Sequence, residues 1–212
     1  MFTQNISFKN FLIKEKKLTV KKNLNLILKE KNQVISSLSK SYKDSFSKKN
    51  IKHFNKKFDY RIIGMGGSTL GAQAIYDFLK KKIKKNFIFV DNLNAFKNNK
   101  AKKNLNNLII SKSGNTTETI VNANILIKKK DKNLIITEKK KSYLSLLAEK
   151  LKAEVVDHNN YIGGRYSVLS EVGMLPAELM GLNFKNFRQL NNLVKNKSFM
   201  KALISNVEAT IY

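Results

Sequence analysis

No cysteine occurs in the 212 residues, so disulfides, a thiolate zinc site and a cysteine nucleophile are all excluded. No apolar run approaches the length of a membrane span, and the opening MFTQNISFKNFLIKEKK has no apolar core of signal-peptide length. A cytoplasmic protein without membrane contact is therefore expected. Arginine is scarce: Arg61, Arg165 and Arg188 are the only three among 41 basic residues, which face 15 acidic ones and leave a net charge of +26. Such a field attracts polyanions. Arginine, however, is the side chain suited to bidentate phosphate and guanine contacts, and lysine is spread along the whole chain among Asn, Ile and Phe. The charge reads as a solvated lysine surface, with no specific nucleic-acid partner expected. Two histidines, His53 and His158, have no evident base or second histidine beside them and receive no role.

Hydrophobic residues make up 42% of the chain, enough for one sizeable domain with a packed core and some extra. Residues 1–57 carry Leu24, Ile27, Leu28, Val34, Ile35 and Leu38 at intervals near three and four, the pattern of a helical arm with one apolar face. From Asp59 short apolar runs alternate with helix-length segments. Strands are expected at 60–63, 87–90, 108–110, 134–136 and 155–156, and helices at 69–82, 95–103, after Thr116 and at 142–151. Five short strands alternating with helices give a parallel sheet covered on both faces, a three-layer, doubly wound α/β fold. In such sheets ligands bind at the carboxyl ends of the strands, near the point where the winding reverses. The boundaries expected are 1–57 for the N-terminal arm, 58–181 for the sheet domain and 182–212 for C-terminal helices.

The stretch LIISKSGNTTET, Leu108 to Thr119, ends a buried strand and begins a polar turn that opens a helix. Backbone N–H groups and the positive end of the helix dipole point into such a turn, and Ser111, Ser113, Thr116 and Thr117 add neutral donors. That chemistry suits an anion, phosphate in particular. The same residues also suit a plain Ser/Thr turn and helix cap, and both readings stand on local sequence. A second loop, Gly64-Met65-Gly66-Gly67-Ser68-Thr69-Leu70-Gly71, follows the first strand. As a dinucleotide fingerprint it lacks the third glycine, replaced by Thr69, and with Asp91 as ribose ligand it leaves the Ser111–Thr119 loop unused. A small phosphorylated sugar between two helix N-termini uses both loops. A third stretch, GGRYSVLS from Gly163, places Arg165 at the same sheet edge, either to stabilise an oxyanion or to pair with Glu171 or Asp157.

With GMGGSTLG, SKSGNTTET and GGRYSVLSEVGMLP in this order, the chain resembles the glucose-6-phosphate isomerase family over about residues 58–182. The likeness is to that family's first sugar-isomerase (SIS) domain and the segment after it. Ala72 stands where the family usually has proline and Ser113 where it often has threonine. The resemblance implies reversible aldose-ketose isomerisation of glucose 6-phosphate and fructose 6-phosphate through an enediolate, in glycolysis and gluconeogenesis, without metal or organic cofactor. It implies that Ser111, the Lys112 backbone, Ser113, Gly114, Asn115 and Thr116 hold the phosphate, and that Gly67 and Ser68 meet the sugar. Arg165 would stabilise the enediolate, and Glu118 and Thr119 would orient neighbours. The family's catalytic glutamate, histidine and lysine lie beyond the GGRYS motif and have no matching position here. The chain is therefore expected to be an incomplete, phosphate-binding portion, inactive alone, of a protein that is a homodimer at full length. A non-catalytic sugar-phosphate-binding SIS protein and a basic nucleic-acid-binding protein are the competing readings.

Overall fold

The computed structural model describes residues 18–30, 32–49, 51–54, 59–93, 105–128 and 130–211. They form two compact units. One takes the described residues up to Tyr42 together with those from Arg188 onward, and the other runs from Lys43 to Phe187. In chain order the helices are α1 (Leu18–Lys29), α2 (Gln33–Ser37), α3 (Leu70–Leu79), α4 (Thr117–Leu126), α5 (Tyr143–Leu151), α6 (Glu171–Leu179), α7 (Leu190–Leu193) and α8 (Lys197–Ile211). The strands are β1 (Asp59–Ile63), β2 (Phe87–Val90), β3 (Leu105–Ile110), β4 (Lys132–Thr137) and β5 (Glu154–Asp157).

All five strands are parallel, in the order β2-β1-β3-β4-β5. The expected three-layer α/β sheet is therefore observed. Side chains alternate between two cores, as the period of two along a strand requires. Ile62, Leu108, Ile110, Leu134 and Ile136 join Ala72, Ile75 and Tyr76 of α3 and Val172, Leu175 and Leu179 of α6. Ile63, Val90, Ile109 and Ile135 join Ala123 of α4 and Leu144 and Ala148 of α5. Because both faces are covered, β3 is buried throughout, and its strand begins three residues before the apolar run that announced it. The polar pair Asn106 and Asn107 is accommodated by hydrogen bonds: Asn106 Nδ2 donates to Phe54 O (3.3 Å), and Asn107 Nδ2 to Asp131 Oδ2 (3.0 Å) and Asn133 Oδ1 (2.8 Å). The helix expected at 95–103 lies outside the described residues.

In the smaller unit, α1 and α8 turn apolar faces to one cleft, lined by Val20, Leu24 and Ile27 of α1 and Leu203, Ile204, Val207 and Ile211 of α8. The Leu190 N–H donates to the Leu38 carbonyl (3.2 Å), and the buried Arg188 guanidinium stacks 4.8 Å from the Tyr42 ring. Phe184 belongs to the larger unit, where its ring lies 5.3 Å from that of Phe46. No described helix is long and apolar enough to cross a membrane.

Candidate functional site

The strand order reverses between β1 and β3, since β2 lies on one side of β1 and β3 to β5 on the other. The crevice at the carboxyl ends of β1 and β3 is the topological switch point, and both polar loops open there. The two strand ends are pressed together: a Cβ on Gly64 would come within 3.0 Å of the Ile110 carbonyl oxygen.

The loop after β3 is fixed by bonds on every side. The Ser111 N–H donates to the Ile136 carbonyl (3.1 Å), the Lys112 carbonyl accepts the Glu138 N–H (3.1 Å) and the Thr137 hydroxyl (3.3 Å), and the Gly114 carbonyl accepts the Leu144 N–H (3.0 Å). Gly114 is buried at φ +68°, and a Cβ there would lie 2.2 Å from the Ser142 hydroxyl, so only glycine fits. Asn115 turns its Oδ1 to the first N–H of α5 at Tyr143 (2.8 Å). Ser111 Oγ and Thr116 Oγ1 are 2.8 Å apart, which leaves Thr116, the residue preceding α4, without a capping bond to that helix. The first intrahelical bond of α4 runs from Ile120 N–H to Thr116 O (3.0 Å). The N–H groups of Thr117, Glu118 and Thr119 are thus uncapped by side chains, and the helix dipole adds to them. Ser113 is half-buried at the turn, where its Oγ accepts the Asn115 N–H (3.2 Å). Neutral donors aligned in this way can hold a compact anion.

Glu118 is half-buried on the first turn of α4 and makes no ion pair among the described residues, while Thr119 is fully buried with its hydroxyl unpartnered among them. Lys112, the one cation in the loop, points away from the turn: its Nζ donates to the Asn160 carbonyl (2.7 Å) and lies 3.6 Å from Glu138 Oε1. Burial alone would raise the Glu138 carboxyl, but its bonds and charges from Lys140 and Lys112 outweigh that and hold it below its ordinary value.

The loop after β1 forms a 3-10 turn at Gly66–Ser68 before α3, with Ser68 half-buried. Gly67 meets the third motif directly. A Cβ on it would stand 2.2 Å from the Gly164 carbonyl oxygen and 2.9 Å from the Arg165 nitrogen, so the 3-10 segment Gly164–Leu169 seats on bare backbone. The Ser167 hydroxyl reinforces the seat through the Gly164 carbonyl (2.6 Å). Arg165 is exposed and makes no ion pair among the described residues. The carboxylates that could have neutralised it are engaged elsewhere, Asp157 by Lys139 (2.8 Å) and Glu171 by the Asn159 N–H (2.6 Å). Arg165, Gly67 and Gly164 also line an open groove of about 780 Å³, whose remaining wall is mostly carbon from Leu70, Ala74, Phe78, Val168 and Phe187.

Sequence reasoning gave His158 no role, yet it is 2% exposed at the end of β5. Its Nδ1–H donates to the Asn159 carbonyl (3.0 Å) in the neutral form, and Glu171 Oε1 lies 3.9 Å from the same nitrogen. Burial holds the imidazole below its ordinary value, against the opposing pull of Glu171 and Glu138. Its partner is 13 residues away across a turn, a separation with no local signal. Among the described residues no cluster of His, Asp and Glu is arranged to hold a metal ion.

Comparison with known proteins places the sequence and the fold. A sequence profile of the family described as phosphoglucose isomerase matches residues 15–207. A glucose-6-phosphate isomerase of Methanocaldococcus jannaschii is 33% identical over 89% of this chain and 50% of its own length. One from Borreliella burgdorferi is 34% identical over 83% of this chain and 40% of its own length. The chain thus spans half or less of the curated relatives it matches. Among solved structures, a hypothetical protein of Thermus thermophilus superposes with a TM-score of 0.67 at 19% identity, over 90% of this chain and 51% of that one. A tagatose-6-phosphate ketose/aldose isomerase of Escherichia coli gives 0.51 at 15% identity, over 72% of this chain and 49% of its own, a likeness of fold alone.

Proposed function

The chain belongs to the phosphoglucose isomerase family, and on that premise we propose that it is the sugar-phosphate-binding portion of a glucose-6-phosphate isomerase. The observation that carries this reading is the pairing of two neutral-donor loops at the β1/β3 switch point with an unneutralised Arg165 seated against one of them. The hydroxyls of Ser111, Ser113 and Thr116 and the uncapped N–H groups at the start of α4 take the phosphate. Gly67 and Ser68 line the sugar side. Arg165, its backbone seated against Gly67, stabilises the enediolate oxygen that forms when a proton leaves C2. Glu118 and Thr119 support the loop from the first turn of α4.

Moving that proton also needs a carboxylate base and an acid–base pair to open the ring. Glu171 and Glu178 are buried in α6, and Glu171 is committed to Asn159. On this family reading the base and the ring-opening groups are supplied by polypeptide outside the three motifs, and this chain by itself binds without turning over. Isothermal titration of the purified chain with fructose 6-phosphate, beside a coupled assay for glucose 6-phosphate, tests both halves. Saturable binding competed by inorganic phosphate, with no turnover, is expected. Absence of binding removes the sugar-phosphate reading, and turnover removes the division of labour.

A further inference from the structure

A lysine in the middle of an anion loop ordinarily contributes its charge to the anion. Lys112 does not: its ammonium crosses to the loop after β5, where it donates to the Asn160 carbonyl at 2.7 Å, with Glu138 at 3.6 Å on its other side. Glu138 is held in turn by Lys140 at 2.6 Å, and its N–H bonds the Lys112 carbonyl at 3.1 Å, so both ends of Lys112 are fixed to the same neighbour. Asn160 starts the segment that carries Arg165. That segment is closed at its base, because the Asn159 N–H donates to Glu171 Oε1 at 2.6 Å and Glu171 is the first residue of α6. The His158 N–H donates to the Thr137 carbonyl at 2.9 Å and fixes the same base to β4. Gly163 and Gly164 then lead to Arg165, so the lysine bond acts four residues before the guanidinium's own segment begins to turn.

We propose that Lys112 is a positioning residue whose ammonium ties the anion loop to the Asn160 carbonyl and thereby sets the position of Arg165 over the sugar. This rests on the sugar-phosphate reading above. Phosphate then fixes the loop through hydroxyls and N–H groups, while the lysine passes that order to the arginine. A ligand that touches only the anion loop gains little from the tether, and a ligand that also reaches Arg165 gains fully.

The test compares fructose 6-phosphate with inorganic phosphate on the purified chain by titration calorimetry, for wild type, Lys112→Met, Arg165→Ala and the double variant. Lys112→Met is expected to weaken fructose 6-phosphate by a larger factor than phosphate, roughly tenfold or more for the sugar phosphate as for a lost charged hydrogen bond. The double variant is expected to be no weaker than Arg165→Ala, since both changes remove one interaction. Equal factors for the two ligands would mean the ammonium acts on the phosphate itself and would overturn the proposal, as would additive losses in the double variant. If Lys112→Met melts too low to assay, Glu138→Gln, which removes the ammonium's ionic partner, must lower the preference for the sugar phosphate in the same direction. An unchanged preference there also overturns it. Failure of wild type to bind fructose 6-phosphate counts instead against the sugar-phosphate reading, so the two failures are distinct.

Discussion

Substituting Gly67 by alanine separates the seat of Arg165 from the chemistry of the anion loop. The new Cβ would stand 2.2 Å from the Gly164 carbonyl oxygen and 2.3 Å from its carbon, both backbone atoms that cannot rotate aside. An ordinary carbon–oxygen contact is about 3.3 Å, so the Gly164–Arg165 backbone must retreat by about 1 Å. Misplacement of that size at a reacting group costs up to about a hundredfold. Complete loss of one charged hydrogen bond, about 1.5–3 kcal/mol, gives about 10- to 150-fold in affinity. Arg165 is exposed and its side chain can recover part of the displacement, so the expected loss for fructose 6-phosphate lies near the low end, about tenfold. Inorganic phosphate, which does not reach the guanidinium, should lose less. Gly164→Ala is the matched control for folding, because a Cβ there meets nothing within 4 Å, and it should melt like the parent. Titration calorimetry with both ligands, beside thermal melts, reads the outcome. Gly67→Ala with fructose 6-phosphate affinity within about twofold of wild type and an unchanged melt would refute the seat as a determinant of Arg165's position.

Ser113→Ala or Thr116→Ala should weaken fructose 6-phosphate by about 1–3 kcal/mol, the value of hydrogen bonds to a charged group, and unchanged affinity in both would remove the phosphate assignment. Gly114→Ala should lower the melting temperature sharply, since about 1–2 kcal/mol of left-handed backbone strain adds to a collision with Ser142; a melt within error of wild type would contradict the loop geometry. Burial depresses the His158 imidazole below its ordinary 6.5, so the unfolded chain takes up this proton at higher pH than the folded one. The stability it contributes is present above 6.5 and lost as pH falls through the folded value; melting temperature should drop on acidification below 6.5, and His158→Gln should flatten that slope.

The sheet was legible because each strand is a short apolar run bounded by polar turns, and β2 coincides with Phe87–Val90 for that reason. The start of β3 was hidden by Asn106 and Asn107, whose partners Phe54, Asp131 and Asn133 come from other parts of the chain. The loops announced themselves through hydroxyls and glycines, but not what each glycine does. Gly67 faces Gly164 nearly a hundred residues later, and no local pattern records that approach. The direction of the Lys112 ammonium was equally silent, being decided by Asn160 and Glu138. Local sequence left Arg165 open between an oxyanion and a structural ion pair with Glu171 or Asp157, and long-range geometry decides that neither carboxylate is its partner.

The excess of lysine and the makeup of the candidate site point in opposite directions, and the contrast bears on specificity. A site that aimed ammonium groups at its ligand would, in a chain of net charge +26, hold any polyanion that the surrounding field attracts. Here the loop's own lysine is engaged with Asn160 and Glu138, and the donors left at the turn are hydroxyls and helix N–H groups. Neutral donors bind an anion only when its oxygens fall on their directions, because each lost bond leaves a polar group unsatisfied and no long-range attraction compensates. On the proposed reading the lysine field raises the rate at which any phosphate arrives, while the turn between β3 and α4 would select a compact terminal phosphate from among the arrivals. On the same reading Arg165, without an ion pair among the described residues and seated against Gly67, then discriminates among bound phosphates by what lies beyond the phosphorus, so recognition of the sugar depends on where the Gly67 seat holds that one guanidinium rather than on the overall charge.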